Sequence, residues 1–401
     1  MLEIEVLGSK SQALPRLGDY AEFVRIGHGY PGSVDGPRRS RGLIFSSSRP
    51  LARGDGVNVS RSAVRRIVLA ARPHGRPQLS DFRLEEAALP EPGAGEVLLR
   101  VLYLSLDPYM RGRMNAGRSY AKPVELGEVM TGEAIAAVLA SNHPEYHEGD
   151  VVLAGTGWRT HAALNGSALR KIDPSRAPLT TRLGVLGMPG FTAYGGLHAI
   201  GKPQPGETVA VAAASGAVGS LVVQLAKIAG ARSVGIAGGP EKCAYLTTEL
   251  GCDAAVDHRD PDFPRLLAAA CPAGIDIYFE NVGGAVWQAV LPLLNDHARV
   301  PVCGLIAQYN AVRHEGPDRL PATMREILSR SLTVRGYLNY EFLPDYFDAF
   351  LRDVGAGVCE GRIRYREDIV DGLENAPQKF IDMLDGKNFG KVLVRVARAE
   401  T

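Results

Sequence analysis

The sequence predicts an α/β protein in which a β-rich domain precedes a doubly wound parallel sheet. Three observations predict it. From Val64 to about Gly184 the short apolar runs "RRIVLAA", "GEVLLRVLYLSL", "GEAIAAVLA", "DVVLAG" and "THAAL" are divided by Gly, Pro and Asp turns, which is strand patterning. From about Val185 to Arg330 strand-like runs alternate with helical stretches, the order expected when crossover helices join parallel strands. Between the run "ETVAV" and the helical "LVVQLAKIAG" lies "AAASGAVGS" (212–220), a glycine turn linking strand to helix.

Taken in order, residues 1–62 carry Gly, Ser and Arg clusters such as "GPRRSRG" with little periodicity, and are expected to be a flexible N-terminal extension. A start codon placed too far upstream explains them better than a mitochondrial presequence, because Glu3, Glu5, Asp19 and Glu22 break the acid-poor pattern. The β-rich domain is expected over 63–184 and the parallel sheet over 185–330. In 331–401, "FLPDYFDAFLRDVGAG" reads as a helix and "KVLVRVA" as a closing strand.

Composition excludes several classes. With 45 Lys plus Arg against 44 Asp plus Glu, the 401-residue chain lacks the basic bias of a general nucleic-acid binder. No run approaches the ~20 apolar residues that span a bilayer, and "MLEIEVLGSK" lacks the order of a secretory signal, so a cytoplasmic protein without membrane partners is expected. The five cysteines form no C-x-x-C pair and all follow residue 242, which rules out a cysteine-ligated metal in the amino-terminal half.

In the second region each strand ends in a distinctive cluster. "TVAVAA" leads to Ser215, Gly216, Ala217, Val218 and Gly219; "SVGIA" leads to Gly238, Gly239, Pro240, Glu241 and Lys242; "AAV" leads to Asp257 and His258. "IDIYFE" leads to Asn281, "ARVPV" to the run Cys303, Gly304, Leu305, Ile306, Ala307, Gln308, Tyr309, and "LTVR" to Gly336, Tyr337, Leu338 and Asn339. Ligands of open parallel sheets lie outside the carboxyl ends of the strands, so these clusters are expected to line one crevice.

A glycine turn between strand and helix is the setting of dinucleotide binding, with N–H groups of the helix start facing the pyrophosphate; close helix–strand packing alone is the plainer alternative. An NAD site usually puts Asp or Glu at the end of the second strand, where this chain has Ala237 and Gly238. A carboxylate there would repel a ribose 2′-phosphate, so its absence points to NADPH, with Lys242 supplying positive charge. Lys242 as a solvated helix lysine is the alternative, and Glu241 the counter-argument if it points inward.

These motifs, together with "LSLDPYMRGRM" (104–114), "LGMPGFTAYGGL" (186–197), "GIAGGPEKC", "YFENVGG" and "PVCGLIAQYN", resemble the medium-chain dehydrogenase/reductase superfamily. Within it the chain is similar to the zinc-free group of leukotriene B4 12-hydroxydehydrogenase, prostaglandin reductase and curcumin-type enone reductases. The resemblance runs from Arg65 nearly to the end. It implies a GroES-like catalytic domain, a Rossmann domain, a C-terminal segment returning to the catalytic domain, NADPH, and a homodimer. It also implies that Gly216 to Gly219 hold the pyrophosphate and that Lys242 meets the 2′-phosphate. The family's further phosphate contact, a Tyr, is here His258, whose protonated imidazole could pair with phosphate. Asn281, Cys303 to Tyr309, Tyr337 to Asn339, and Asn388 in "GKNFGK" fall at the remaining cofactor positions.

The chemistry follows from what is missing. "TGEA" (131–134) has no His beside Glu133, so zinc-assisted alcohol oxidation is not expected and no metal is assigned. Without a metal, NADPH can reduce an activated C=C, giving an enolate that needs a hydrogen-bond donor and then a proton. Tyr309 is one candidate donor, with a purely cofactor-contacting role as the alternative. Tyr109 in "DPYMR" is the second, against a packed loop aromatic. Arg111 and Arg113 either clamp the dinucleotide or are solvated. The expected activity is reduction of α,β-unsaturated ketones and aldehydes; the alternatives are an NADPH:quinone reductase and a non-catalytic NADPH-binding sensor or structural protein.

Overall fold

A computed structural model describes residues 64–117, 119–311 and 317–397; the segment expected to be flexible, 1–62, lies outside the described residues. Strands β1 (Val64–Leu69) and β2 (Phe82–Ala87) pair antiparallel. The larger β-rich sheet is organised around β3 (Glu96–Ser105), which pairs antiparallel with β4 (Ala134–Ser141) on one edge and with β6 (His161–Asn165) on the other. β5 (Val151–Ala154) and β7 (Arg170–Lys171) continue the sheet beyond β4. The near-continuous apolar run of β3 has its cause here, because both faces are covered. Val97 and Leu99 pack with Ala136, Val138 and Val152, whereas Leu102 on the other face packs with Ile135 and Leu153. A short helix, α1 (Tyr109–Arg113), follows β3.

The parallel sheet has the order β10 (Ala254–Asp257), β9 (Arg232–Ala237), β8 (Thr208–Val211), β11 (Ile275–Phe279), β12 (Leu294–Val302), β13 (Thr333–Gly336). Its strand direction is parallel throughout, and the order reverses between β8 and β11, the switch point of a Rossmann fold. Helices α2 (Met188–Gly195), α3 (Gly219–Ile228), α4 (Pro240–Thr248), α5 (Phe263–Ala270), α6 (Gly284–Val290) and α7 (Leu320–Ser329) connect or flank the strands. Alternate strand residues serve opposite cores. Val209, Val211, Ile277 and Phe279 join Leu221, Val222 and Leu246 on one face, while Ala210, Ile236 and Tyr278 join Phe263, Leu267 and Val286 on the other.

This sheet runs past residue 330. β13 is its sixth strand, and α8 (Leu343–Cys359) buries Phe350 and Val354 in the same core as α2 and α3. Only β14 (Glu367–Asp371), α9 (Ala376–Leu384) and β15 (Lys391–Arg395) join the first sheet, β15 pairing antiparallel with β3 and Phe380 of α9 meeting Phe82 and Trp158 edge-on.

Candidate functional site

Parallel direction puts the carboxyl ends of all six strands along one edge, and there the clusters bond to each other. After β8, Ala213 takes a left-handed φ of 49° and its carbonyl accepts from the Gly216 N–H at 2.9 Å. A Cβ on Gly219 would stand 2.5 Å from Ala213 O and 2.8 Å from Ala214 Cα, so only glycine lets α3 begin this close to the strand. At the start of α3 the Ser220 N–H donates to Gly216 O and the Leu221 and Val222 N–H groups to Val218 O, so an anion at this helix start would face the turn residues that precede them. Gly216 also forms a bridge with Gly390, which lays the tail loop against the turn, and Asn388 Nδ2 donates to Gly390 O at 3.0 Å.

At the end of β9, Gly239 (φ 97°) donates its N–H to Asp257 Oδ1 at 2.9 Å, and Lys242 Nζ donates to Gly386 O at 2.9 Å. A Cβ on Gly238 would be 2.9 Å from His258 Nε2, so this imidazole lies on the turn beside Lys242's helix. Burial, then the neighbouring Arg259, pushes the His258 pKa below its ordinary value.

β11 and β12 supply the next wall. Asn281 Nδ2 reaches across to Ala212 O at 2.8 Å. The buried Glu280 Oε1 accepts from the N–H groups of Val282 and Gly283 and from the Tyr278 hydroxyl, which fixes this turn. Cys303 N–H bonds Glu280 O, Ile306 N–H bonds Asn281 O and Ala307 N–H bonds Val282 O, folding 303–309 onto 280–283. Leu305 and Gln308 cover Gly283. The Tyr309 hydroxyl accepts from the Leu305 N–H at 3.5 Å, and burial holds its pKa above the usual phenol value. Burial likewise pushes the Cys303 thiol to about 12.

The cluster after β13 bonds to α2. The Tyr337 hydroxyl donates to Thr192 O at 2.9 Å with its ring against Phe342, Asn339 Nδ2 reaches Thr192 Oγ1 at 3.1 Å, and the Leu338 N–H bonds Glu341. The Tyr337 hydroxyl is thus engaged inside the protein.

From the β-rich side, α1 presents Tyr109, whose pKa is raised well above the ordinary value by burial, with the Asp107 and Glu133 charges adding and Arg113 opposing. Arg113 is buried, its guanidinium 5.6 Å from the Tyr109 ring centroid and 4.5 Å from that of Tyr120. Arg111, also buried, donates from Nε to Asn310 Oδ1 at 3.1 Å, from Nη1 to Asn115 and from Nη2 to Gly75 O. One bond therefore ties the helix carrying Tyr109 to the residue after Tyr309. Beneath it the buried Lys391 Nζ binds Leu106 O at 2.8 Å and Asp107 Oδ1 at 2.6 Å. Sequence reasoning missed Arg259, Tyr120, Asn310 and Lys391; only Arg259, next to His258 at a strand end, carried a local signal. Among the described residues no three His, Cys, Asp or Glu side chains gather as a metal-ligand set.

A parallel sheet whose glycine-turned strand ends face a β-rich domain defines a two-domain oxidoreductase of the medium-chain kind. Residues 65–172 match the family described as the N-terminal domain of oxidoreductase, and 217–354 that described as zinc-binding dehydrogenase. The chain is 53% identical over 334 residues to the NADPH-dependent curcumin reductase of Escherichia coli, covering 83% of this chain and 97% of that one. It is 38% identical to the NADP(+)-dependent 2-alkenal reductase of Nicotiana tabacum, covering 83% and 98%. The crystal structure of CurA from Vibrio vulnificus in complex with NADPH, 49% identical, superposes with a TM-score of 0.81, covering 84% and 100%. This chain belongs to the medium-chain dehydrogenase/reductase superfamily, in its zinc-free group of enone reductases.

Proposed function

We propose that this protein is an NADPH-dependent reductase of the C=C bond in α,β-unsaturated ketones and aldehydes. The observation that carries the reading is the Arg111–Asn310 hydrogen bond, which joins the segments of two neutral hydroxyl donors, Tyr109 and Tyr309, from opposite sides of one crevice. In this reading the β-rich domain expected over 63–184 contacts the substrate and the parallel-sheet domain holds the cofactor. Gly216, Ala217, Val218 and Gly219 receive the pyrophosphate, Lys242 the 2′-phosphate, and Asn281 with Cys303 to Gln308 the nicotinamide end.

Bound there, NADPH would supply a hydride to the β-carbon of the double bond. Tyr309 donates a hydrogen bond to the carbonyl oxygen, on which negative charge grows as the enolate forms. Its burial keeps the phenol protonated, so it is a donor at every physiological pH. The α-carbon then takes a proton through this hydroxyl or from water. The curcumin and 2-alkenal reductases among the relatives support the substrate class.

NADPH consumption with an enone, an enal and a benzoquinone tests the reading. Turnover of the enone and enal above the quinone is expected; quinone preference, or tight NADPH binding without turnover of any acceptor, refutes it.

We also propose a homodimer in the cytoplasm. β13 is an exposed sheet edge, and α7 beside it presents Leu320, Met324 and Leu328 at the surface, which supports self-association there. All five cysteines are free thiols, as suits a reducing compartment.

A further inference from the structure

The end of β10 carries a cation that no assigned role uses. The Arg259 guanidinium has no hydrogen-bond or ion-pair partner among the described residues, although its backbone is fixed: its N–H donates to Asp257 Oδ1 at 2.9 Å, the same oxygen that holds the Gly239 N–H. One carboxylate therefore pins residue 259 and the turn after β9 together. The guanidinium lies along that turn. A Cβ on Gly238 would be 2.8 Å from its Nε and 3.1 Å from its Cζ, one on Gly239 3.9 Å from Nη1, and one on Gly386 4.0 Å from Nη2. Arg259 thus spans the gap between the second strand end and the tail loop that anchors Lys242.

Charges around this spot favour an anion. Asp257 Oδ1 already accepts two N–H groups; Asp368 pairs with Lys379 at 2.6 Å and accepts the Phe389 N–H. Glu241 is exposed on the first turn of α4. Lys242 has committed one of its three donors to Gly386. A guanidinium, by contrast, offers paired coplanar N–H groups that match two phosphate oxygens at once.

We infer that Arg259 grips the 2′-phosphate of NADPH and is the main determinant of preference for NADPH over NADH, with Lys242 second. The inference rests on the NADPH reading and assigns its selectivity to a residue outside the family positions carried over above. The test is calorimetric titration of NADPH, NADH, 2′,5′-ADP and 5′-ADP into the wild type and into Arg259→Gln, Arg259→Lys and Lys242→Gln. Arg259→Gln loses about 10- to 100-fold in affinity for NADPH and 2′,5′-ADP, the worth of a charge-assisted bond, with NADH and 5′-ADP unchanged. Arg259→Lys recovers only part, and Lys242→Gln loses less than Arg259→Gln. Equal loss for phosphorylated and unphosphorylated ligands, or no loss, overturns the inference while leaving the NADPH reading standing. Wild type that binds NADH as tightly as NADPH defeats that reading itself, before any variant is compared.

Discussion

At the end of β9 glycine backbone lies beside the half-buried Lys242 and the exposed Arg259, whereas at 303–309 and 106–113 the half-buried Tyr309 and Tyr109 stand with the buried Arg111, Arg113 and the Lys391–Asp107 pair. In the proposed reading the first end attracts phosphate through Lys242 and the exposed Arg259, an attraction screened by salt. In the same reading the second donates from hydroxyls that desolvation keeps neutral, beside ions whose removal would leave a partner uncompensated. Selecting a cofactor needs charge within reach of solvent; donating a proton to a growing enolate needs a phenol that does not ionise early.

Three measurements break or sharpen that contrast. The largest effect is expected at the junction of the buried end with the tail. Lys391→Met strands Asp107 and should destabilise the fold by about 3–5 kcal/mol, as breaking a buried pair does, with Lys391→Met/Asp107→Asn recovering a substantial part in denaturant melts. A loss under 1 kcal/mol would mean that the pair is solvated and the two ends are less different than described.

Next is Tyr309→Phe. It should lower kcat about 100-fold, the scale of losing one positioned donor, while the dissociation constant for NADPH stays within roughly threefold. An unchanged kcat would leave Tyr309 as a cofactor contact only, and would shift the donor's role to Tyr109.

The smallest effect is in pH. Burial leads the lowering of the pKa values of the half-buried His161 and His198 below 6.5. Above the unfolded value these groups are neutral in both states and their burial is uncontested; as pH falls below it, the unfolded chain binds protons that the fold resists, and stability drops. Tm should fall by roughly 2–4 °C between about pH 7 and about pH 5. On the alkaline side Tyr109 and Tyr309, both raised, lose nothing until pH passes the ordinary phenol value of 10, beyond which the unfolded state ionises first and stability declines. Enone turnover limited by a group ionising near pH 8 would contradict a buried neutral Tyr309.

Long or strongly patterned elements were legible in advance: β3, β4, β8, α3, α8 and β15 fall on the runs quoted for them. β2 ("FRLEEA") and β14 ("EDIVD") were not, because their charged faces lie at the surface and only pairing with β1 and β15 makes them strands. α9 is short, and its apolar face is explained by the core it shares with Ile67, Leu104, Phe82 and Trp158, all far away in sequence. Tyr337 follows a strand end, and the partner of its hydroxyl, the carbonyl of Thr192, lies 145 positions earlier.

The sequence by itself determined the alternation that builds a parallel sheet, the glycine at 219 that lets a helix start against a strand, and the lack of a carboxylate where Ala237 meets Gly238. Each is a local property, set by side-chain period or by the room a Cβ would need. Tertiary structure alone decided that Arg259 would lie over Gly238, that Arg111 would bond Asn310 and that Lys391 would neutralise Asp107. Those contacts join residues from different elements, the last two of them 199 and 284 positions apart, and no local period or turn preference brings such residues together before the chain has folded.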